Sequence, residues 1–167
     1  AEVKLKKWYQ IKGRQLTGCT FGIIGCGHIG KDVVRMLTPF NCKILSHDIQ
    51  NFPDFYKNYN VKAVSLKELV IKSDVISIHL PLNSSTINII NKTILKLFKK
   101  NKKIINLARG GLIDEEELKK QLILGRFGGL ALDVFENEPP TDFELAQFDN
   151  VFITPHIGGS TEEAILA

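Results

Sequence analysis

Short apolar runs alternate with segments of helical periodicity along the chain. Residues 21–24 form an apolar run that ends at a glycine, as expected for a buried strand. Apolar residues then recur at helical spacing at Ile29, Val33, Val34 and Leu37. Pro39 would distort the last turn of this helix, and Asn41 is suited to the left-handed conformation that closes it. We therefore predict a strand, a loop and a helix here.

The same alternation continues downstream. Ser65 with Glu68, and Asp114 with Glu117, have the spacing of helix-capping pairs, and Gly125 is suited to end the second of these helices. The predicted strands cover 21–24, 43–47, 75–80, 103–107, 129–134 and 151–154, and the later helices cover 65–72, 91–98 and 114–125. Strands that alternate with helices pair in parallel through right-handed crossovers. The predicted fold is therefore α/β, a doubly wound parallel sheet of the Rossmann type.

Chemically capable residues follow the predicted strands. In a doubly wound sheet, ligands bind at the carboxyl ends of the strands. The residues found there are Gly25, Gly27, Gly30, Asp48, His79, Arg109, Asp133 and His156. Their shared position predicts a single binding and reaction site.

The composition fits one globular domain over residues 1–167. Hydrophobic residues make up 44% and charged residues 24%, a balance that argues against disorder. The net charge of +4 includes a lysine run between Lys96 and Lys103, which we interpret as a solvated helix end and not as a nucleic-acid site. The three cysteines lack metal-ligand spacing, so no metal is expected. No apolar stretch is long enough to span a membrane and residues 1–7 lack a signal-peptide core, so we expect a cytoplasmic protein without a membrane partner.

Three glycines lie between the first strand and the first helix. Gly25, Gly27 and Gly30 form the pattern G-x-G-x-x-G. In a dinucleotide site these glycines provide a tight turn, close approach to the pyrophosphate and close packing of the helix on the strand. The amides of His28 and Ile29 would then face phosphate from the helix N-terminus.

A carboxylate follows the second strand. Asp48 lies 18 residues after Gly30, where it can accept both hydroxyls of the adenosine ribose and repel a 2′-phosphate. This arrangement favours NAD over NADP. The simpler alternative is an aspartate that only caps a turn. S-adenosylmethionine methyltransferases have the same strand, loop and acid plan, so this motif alone does not establish redox chemistry.

Three side chains near the later strand ends suit the oxidation of a hydroxy acid. Arg109 offers a planar fork for a carboxylate, and His156 is a suitable base near neutral pH. Glu138 could bind the other ring nitrogen of the histidine and fix its tautomer. On composition alone, Glu136 is an equal candidate for that role.

Five segments together carry a family resemblance. They are G-I-I-G-C-G-H-I-G at 22–30, H-L-P-L at 79–82, N-L-A-R-G-G at 106–111, L-D-V-F-E-N-E-P-P at 132–140 and T-P-H-I-G-G-S at 154–160. In order and register from about residue 16 to 164, the chain resembles the D-isomer-specific 2-hydroxyacid dehydrogenases. The resemblance implies that Arg109 binds the substrate carboxylate and that His156 is the catalytic acid and base. It also selects Glu138 over Glu136 as the residue that orients the imidazole.

The resemblance also implies a set of residues that contact NAD. Asp133 would meet the nicotinamide carboxamide, and Leu107, Ala108 and Arg109 would line the nicotinamide pocket. With the glycine motif, the implied cofactor-binding residues are Gly25, Gly27, His28, Ile29, Gly30, Asp48, Leu107, Ala108, Arg109, Asp133, His156, Gly158 and Gly159.

The substrate is less well determined than the cofactor. The segments 47–51 and 148–164 are most similar to family members that oxidise 3-phosphoglycerate in serine biosynthesis. Glyoxylate, hydroxypyruvate or D-lactate are alternative substrates, and a non-enzymatic NADH-sensing module of the co-repressor kind is an alternative function. The family is two-domain and usually dimeric. We therefore expect a homodimer whose substrate domain lies outside these residues, and we expect this chain alone to bind NAD but to turn over substrate poorly.

Overall fold

The computed structural model describes residues 12–166, so residues 1–7, which entered the signal-peptide argument, lie outside it. Within this range the strands are β1 (Thr20–Ile24), β2 (Lys43–His47), β3 (Val61–Ala63), β4 (Val75–Ile78), β5 (Lys103–Asn106), β6 (Gly129–Leu132) and β7 (Val151–Ile153). The helices are α1 (His28–Leu37), α2 (Pro53–Asn58), α3 (Leu66–Lys72), α4 (Lys92–Leu95), α5 (Glu115–Ile123) and α6 (Glu162–Ile165). None of the helices described is long and apolar enough to cross a membrane.

All pairs of neighbouring strands in the sheet are parallel. The strand order is β3-β2-β1-β4-β5-β6-β7. The order reverses between β1 and β4, which is the position where doubly wound sheets bind ligands. The predicted fold class is therefore confirmed, and the crevice above β1 and β4 is where a dinucleotide is expected.

The predicted elements are present, with shorter bounds at several ends. The strand predicted at 75–80 ends at Ile78, and the one predicted at 129–134 ends at Leu132. His79 and Asp133, the residues that follow, line cavities. The helix predicted at 91–98 is helical only at Lys92–Leu95. Beyond it the amides of Leu97 and Phe98 bond to carbonyls three residues back, so the chain continues as tight turns.

Two elements between β2 and α3 were not predicted. The helix α2 has two aromatic residues on six positions, and the strand β3 has three residues of which only Val61 is buried. A three-residue edge strand is too short to show an alternating pattern. Its lysine and its edge position also suit a strand that does not recruit further chains.

The helices cover both faces of the sheet. On one face Phe21 and Ile23 of β1 pack with Val34 of α1 and Tyr56 of α2. On the other face Ile24 and the central strands pack with α3, α4 and α5. Because neighbouring residues of a strand point to opposite faces, the uninterrupted apolar run of β1 fills both layers.

The predicted helix caps are present. The Ser65 hydroxyl accepts a hydrogen bond from the Glu68 amide at 3.2 Å, and the Asp114 carboxylate accepts one from the Glu117 amide at 2.9 Å. Asn41 closes a 3₁₀ turn after α1 with φ of 53°, which is the left-handed conformation expected.

Candidate active site

The glycine loop lies between β1 and α1 at the centre of the sheet. Gly25 has φ of +90°, and a Cβ on it would lie 2.6 Å from the carbonyl oxygen of His79. A Cβ on Gly30 would lie 2.1 Å from the carbonyl oxygen of Gly25, so only glycine lets α1 pack this closely on the loop. By contrast, a Cβ on Gly27 would meet no protein atom within 4 Å. The first and third glycines thus shape the loop, and the second borders open space where a ligand can approach.

The N-terminus of α1 has unused hydrogen-bond donors. Gly27 is the N-cap residue and provides no side chain to accept from the first turn. The first intrahelical bond in the loop region is donated by the Lys31 amide to the Gly27 carbonyl, at 3.0 Å. The amides of His28, Ile29 and Gly30 therefore need an external acceptor, and the helix dipole favours an anion there. This geometry fits the pyrophosphate of a dinucleotide.

Asp48 lies at the end of β2 beside the glycine loop. Its Oδ2 accepts a hydrogen bond from the Cys26 amide at 2.6 Å, and its Oδ1 accepts one from the Gln50 amide at 2.8 Å. The residue therefore caps its own turn and also tethers the glycine loop. The turn-capping interpretation is therefore confirmed, while each carboxylate oxygen retains acceptor capacity, so the contact with a ribose hydroxyl stays a prediction.

Three adjoining cavities follow the carboxyl ends of the strands. The first, of about 310 Å³, is lined by Asp48 and the glycine loop, and it shares residues 79–81 with a second cavity of about 810 Å³. The second contains Leu107, Ala108, Arg109 and Gly158. It shares Leu82 and Arg109 with a third cavity of about 570 Å³, which is lined by Glu138 and His156. One continuous cleft thus connects the predicted ribose end to the predicted reacting centre.

Buried polar and small residues position Arg109 over this cleft. The Asn106 side chain donates to the Arg109 carbonyl at 2.8 Å and accepts from the Ala108 amide at 3.1 Å. Gly110 lies so close to the Phe135 backbone that a Cβ on it would be 1.9 Å away. The loop after β5 is therefore packed directly on the loop after β6, which brings the exposed Arg109 side chain near the Glu138 carboxylate.

His156 and Glu138 form a hydrogen-bonded pair. His156 Nδ1 lies 2.6 Å from Glu138 Oε2, and the other oxygen, Oε1, accepts from the Phe135 amide at 3.1 Å. Hydrogen bonding to His156 and to the Phe135 amide holds the pKa of Glu138 below its usual value. The Glu136 side chain instead contacts the start of α5, since its Oε1 accepts a hydrogen bond from the Glu115 amide at 3.5 Å. Of the two candidate glutamates, the structure thus brings Glu138 to the histidine.

Asp133 holds the loop that carries the histidine. Its Oδ1 accepts hydrogen bonds from Thr154 Oγ1 at 2.6 Å and from the Ile157 amide at 2.8 Å, and its Oδ2 accepts from the Gly158 amide at 2.7 Å. Burial raises the pKa of the Asp133 carboxyl, but these three donors more than offset that effect and lower it. The carboxylate therefore stays ionised and binds both sides of His156.

The backbone of His156 is in a strained conformation. Its φ is +53°, in the left-handed region that is uncommon for residues other than glycine, although asparagine, aspartate and histidine adopt it more often than the rest. Such a conformation persists only where neighbouring contacts enforce it, and it often occurs at functional sites. The Asp133 contacts on either side supply that constraint. The expected contact of Asp133 with a nicotinamide carboxamide stays a prediction.

Sequence reasoning missed three residues that build the site. Asn106 folds the 107–109 loop, Gly110 allows the close approach of two loops, and Thr154 completes the contacts of Asp133. The available signal was a polar residue, Asn106, at the end of a buried strand, with glycines four and five residues later. The remaining predicted cofactor residues, Gly158 and Gly159, lie in the exposed loop after His156.

Comparisons with known proteins show the family to which this chain is similar. The model of the D-isomer specific 2-hydroxyacid dehydrogenase NAD-binding domain matches residues 1–158. Hydroxypyruvate reductase of Thermotoga maritima is 44% identical over 171 residues, covering 98% of this chain and 55% of that protein. D-3-phosphoglycerate dehydrogenase of Methanocaldococcus jannaschii is 42% identical over 167 residues, covering 98% of this chain and 32% of that protein.

A solved structure matches the fold over nearly the whole chain. D-lactate dehydrogenase from Aquifex aeolicus, complexed with NAD and lactic acid, superposes with a TM-score of 0.90 at 34% identity. The match covers 99% of this chain and 55% of that structure's chain. The chain thus spans roughly a third to a little over half of the proteins it resembles.

Proposed function

The chain belongs to the D-isomer specific 2-hydroxyacid dehydrogenases, as their NAD-binding domain, and we propose that it catalyses NAD-dependent interconversion of a D-2-hydroxy acid and a 2-keto acid. The predicted cofactor, NAD, is confirmed by the matched family, and the methyltransferase interpretation is wrong for the same reason. The observation that carries the proposed reaction is the lining of one cavity by Arg109, Glu138 and His156 at the end of the cleft.

The histidine and glutamate provide acid–base chemistry. Because Nδ1 of His156 faces an ionised Glu138, the neutral ring carries its proton on Nδ1 and leaves Nε2 free as an acceptor. Nε2 then takes the hydroxyl proton of the substrate, and the glutamate stabilises the imidazolium that forms. In the reverse direction, the same nitrogen returns the proton to the keto oxygen.

The remaining groups hold the reactants. Arg109 binds the substrate carboxylate through its planar guanidinium, which fixes the carbon that carries hydrogen relative to the histidine. When bound, NAD⁺ accepts the hydride that leaves this carbon. Asp48 binds the adenosine ribose, and the N-terminus of α1 binds the pyrophosphate.

The substrate we favour is 3-phosphoglycerate, which would place the protein in serine biosynthesis. Support comes from the segments 47–51 and 148–164 and from the relative named D-3-phosphoglycerate dehydrogenase. Another relative is named hydroxypyruvate reductase, so hydroxypyruvate, glyoxylate and D-lactate belong in any substrate panel. We further propose a two-domain, homodimeric, cytoplasmic protein whose second domain completes the substrate site.

A substrate panel on the full-length protein tests this function. NADH formation or consumption is followed by absorbance with each hydroxy or keto acid, and His156→Ala serves as the control variant. We expect turnover with one acid of the panel, a loss of roughly 10²- to 10⁴-fold in the variant and nearly unchanged NAD affinity. Equal turnover by the variant would remove His156 from its role. Specific NADH binding with no turnover of any acid would favour the sensing module.

A further inference from the structure

Two of the three cysteines lie at the opposite end of the sheet from the cleft. Cys19 directly precedes β1, and Cys42 directly precedes β2. Both are free thiols of intermediate exposure, whereas the third cysteine, Cys26, is fully buried in the glycine loop. The proposed reaction uses neither Cys19 nor Cys42.

The strand register places these two cysteines side by side. In the parallel ladder Thr20 pairs with Lys43, and the Lys43 amide donates to the Cys19 carbonyl at 3.0 Å. One residue back on each strand, Cys19 lies opposite Cys42. Neighbouring strands are about 4.8 Å apart, which falls within the Cα separations of about 4.4 to 6.8 Å that disulfides span.

The two sulfur atoms share one environment. The Cys19 thiol donates to the Gln15 carbonyl at 3.3 Å, and the Cys42 thiol donates to the adjacent Leu16 carbonyl at 3.2 Å. Both side chains pack on the same apolar cluster beneath α1, so both point to the same face of the sheet. The thiols therefore lie close together with a common orientation.

We propose that Cys19 and Cys42 form a redox-active thiol pair that closes to an intramolecular disulfide under two-electron oxidants such as hydrogen peroxide. One thiolate attacks the peroxide and becomes a sulfenic acid while water leaves. The second thiol then attacks the sulfenic sulfur, the S–S bond forms, and a second water leaves. Two thiols and one peroxide thus give one disulfide and two waters. A dithiol reductant reverses the bond by exchange.

The surroundings of Cys42 disfavour its thiolate form. Burial raises the pKa of its thiol, and the neighbouring Cys19 sulfur adds to that shift. The thiolate form of Cys42 is therefore less populated than that of a free cysteine. Cys26 cannot pair with Cys19, because it lies seven residues further along the chain, about 23 Å in an extended strand. It is also distant from Cys42, because it follows the carboxyl end of β1 whereas Cys42 precedes the amino end of β2.

The bond would stabilise the sheet without changing the cleft. It joins the amino ends of β1 and β2, whereas the glycine loop and Asp48 lie at their carboxyl ends. Because it closes a loop of 24 residues within one domain, it should raise the melting temperature by roughly 10 °C. NAD affinity should stay within about twofold, because the bond lies at the amino ends of the strands and the three cavities lie at their carboxyl ends.

Mass spectrometry of the peroxide-treated chain tests the pair. Trypsin leaves Cys19 and Cys26 together in one peptide, residues 15–31, and Cys42 in another, residues 36–43. The assay therefore uses the Cys26→Ser background, in which a cross-link between the two peptides can only join Cys19 to Cys42. We expect a cross-link between these two peptides, the loss of two hydrogen masses from the intact monomer and full reversal by dithiothreitol. Adding Cys19→Ser or Cys42→Ser to this background should abolish both the cross-link and the rise in melting temperature.

Three other results would overturn the proposal. These are a monomer that keeps two alkylatable thiols after peroxide, a monomer that gains only oxygen atoms, and a cross-link that joins two chains. Circular dichroism of each variant before oxidation verifies that a missing cross-link does not come from a missing fold. Alkylation of the reduced, native chain gives a second measure: Cys19 and Cys42 should both react, and the reaction should vanish after oxidation.

Discussion

Replacing Asp133 by asparagine should release the loop that carries His156. The substitution keeps the size of the side chain but turns one accepting oxygen into an NH₂ donor. In either amide orientation at least one of the amides of Ile157 and Gly158 then faces a donor, while the remaining bonds lose the charge of their acceptor. A hydrogen bond to a charged group contributes about 1.5 to 3 kcal/mol and a neutral one about 1 kcal/mol.

These values set the size of the effect. Losing one charge-assisted bond and weakening two others sums to about 3 kcal/mol or somewhat more. A difference of about 3 kcal/mol corresponds to roughly a hundredfold rise in the open population of the loop, since about 1.4 kcal/mol is tenfold.

Hydrogen exchange measures this population directly. In the variant, the amides of Ile157 and Gly158 should lose about a hundredfold of their protection, because local opening exposes them to water. The amides of β6 should keep their protection, since the loss is confined to the loop. Asp149→Asn, which alters an exposed carboxylate before β7, is the matched control. Unchanged protection at Ile157 and Gly158 would refute the role assigned to Asp133.

Three further predictions follow from the geometry of the cleft. Glu138→Gln removes a carboxylate whose pKa is lowered in the fold. The contribution of this carboxylate to stability should be complete above the pKa of an unfolded glutamate, about 4, and should vanish as pH falls through the lower folded pKa. Urea unfolding across this range should show that the free energies of unfolding of the two proteins converge in acid. Gly30→Ala places a Cβ 2.1 Å from the Gly25 carbonyl oxygen. It should lower the free energy of unfolding by about 1 to 3 kcal/mol in chemical unfolding and weaken NAD binding in calorimetry. The control Gly13→Ala, which has open space around the added Cβ, should do neither. Asp48→Asn should reduce the preference for NAD over NADP about tenfold in the same titrations, and an unchanged ratio would contradict its assigned contact with the ribose.

The sheet was largely predictable because its strands are buried on both faces. An apolar run such as 21–24, closed by glycine and followed by a periodic helix, leaves few alternatives. The segment with α2 and β3 was not predictable, because Val61 is the only buried residue of its strand and the aromatic residues of α2 show no clear periodicity over six positions. Short edge elements obtain their structure from neighbours that a local pattern does not contain.

The candidate site was also predictable only in part. Spacing alone indicated the glycine loop and Asp48, because their tasks depend on local backbone geometry. The choice between Glu136 and Glu138 depended on contacts between distant segments, since the Glu136 amide pairs with Glu115 while Glu138 meets His156. Sequence reasoning from the residues could not distinguish two acids in one loop, and the family resemblance was needed to do so.

A crystal structure of the chain with bound NADH would be the most direct measurement. We predict that the dinucleotide follows the three connected cavities, with the adenosine ribose on Asp48 and the nicotinamide against residues 107–109, beside the imidazole of His156. The guanidinium of Arg109 should reach the same space. A nicotinamide ring outside this cavity, with His156 and Arg109 turned to separate surfaces, would contradict the proposed chemistry.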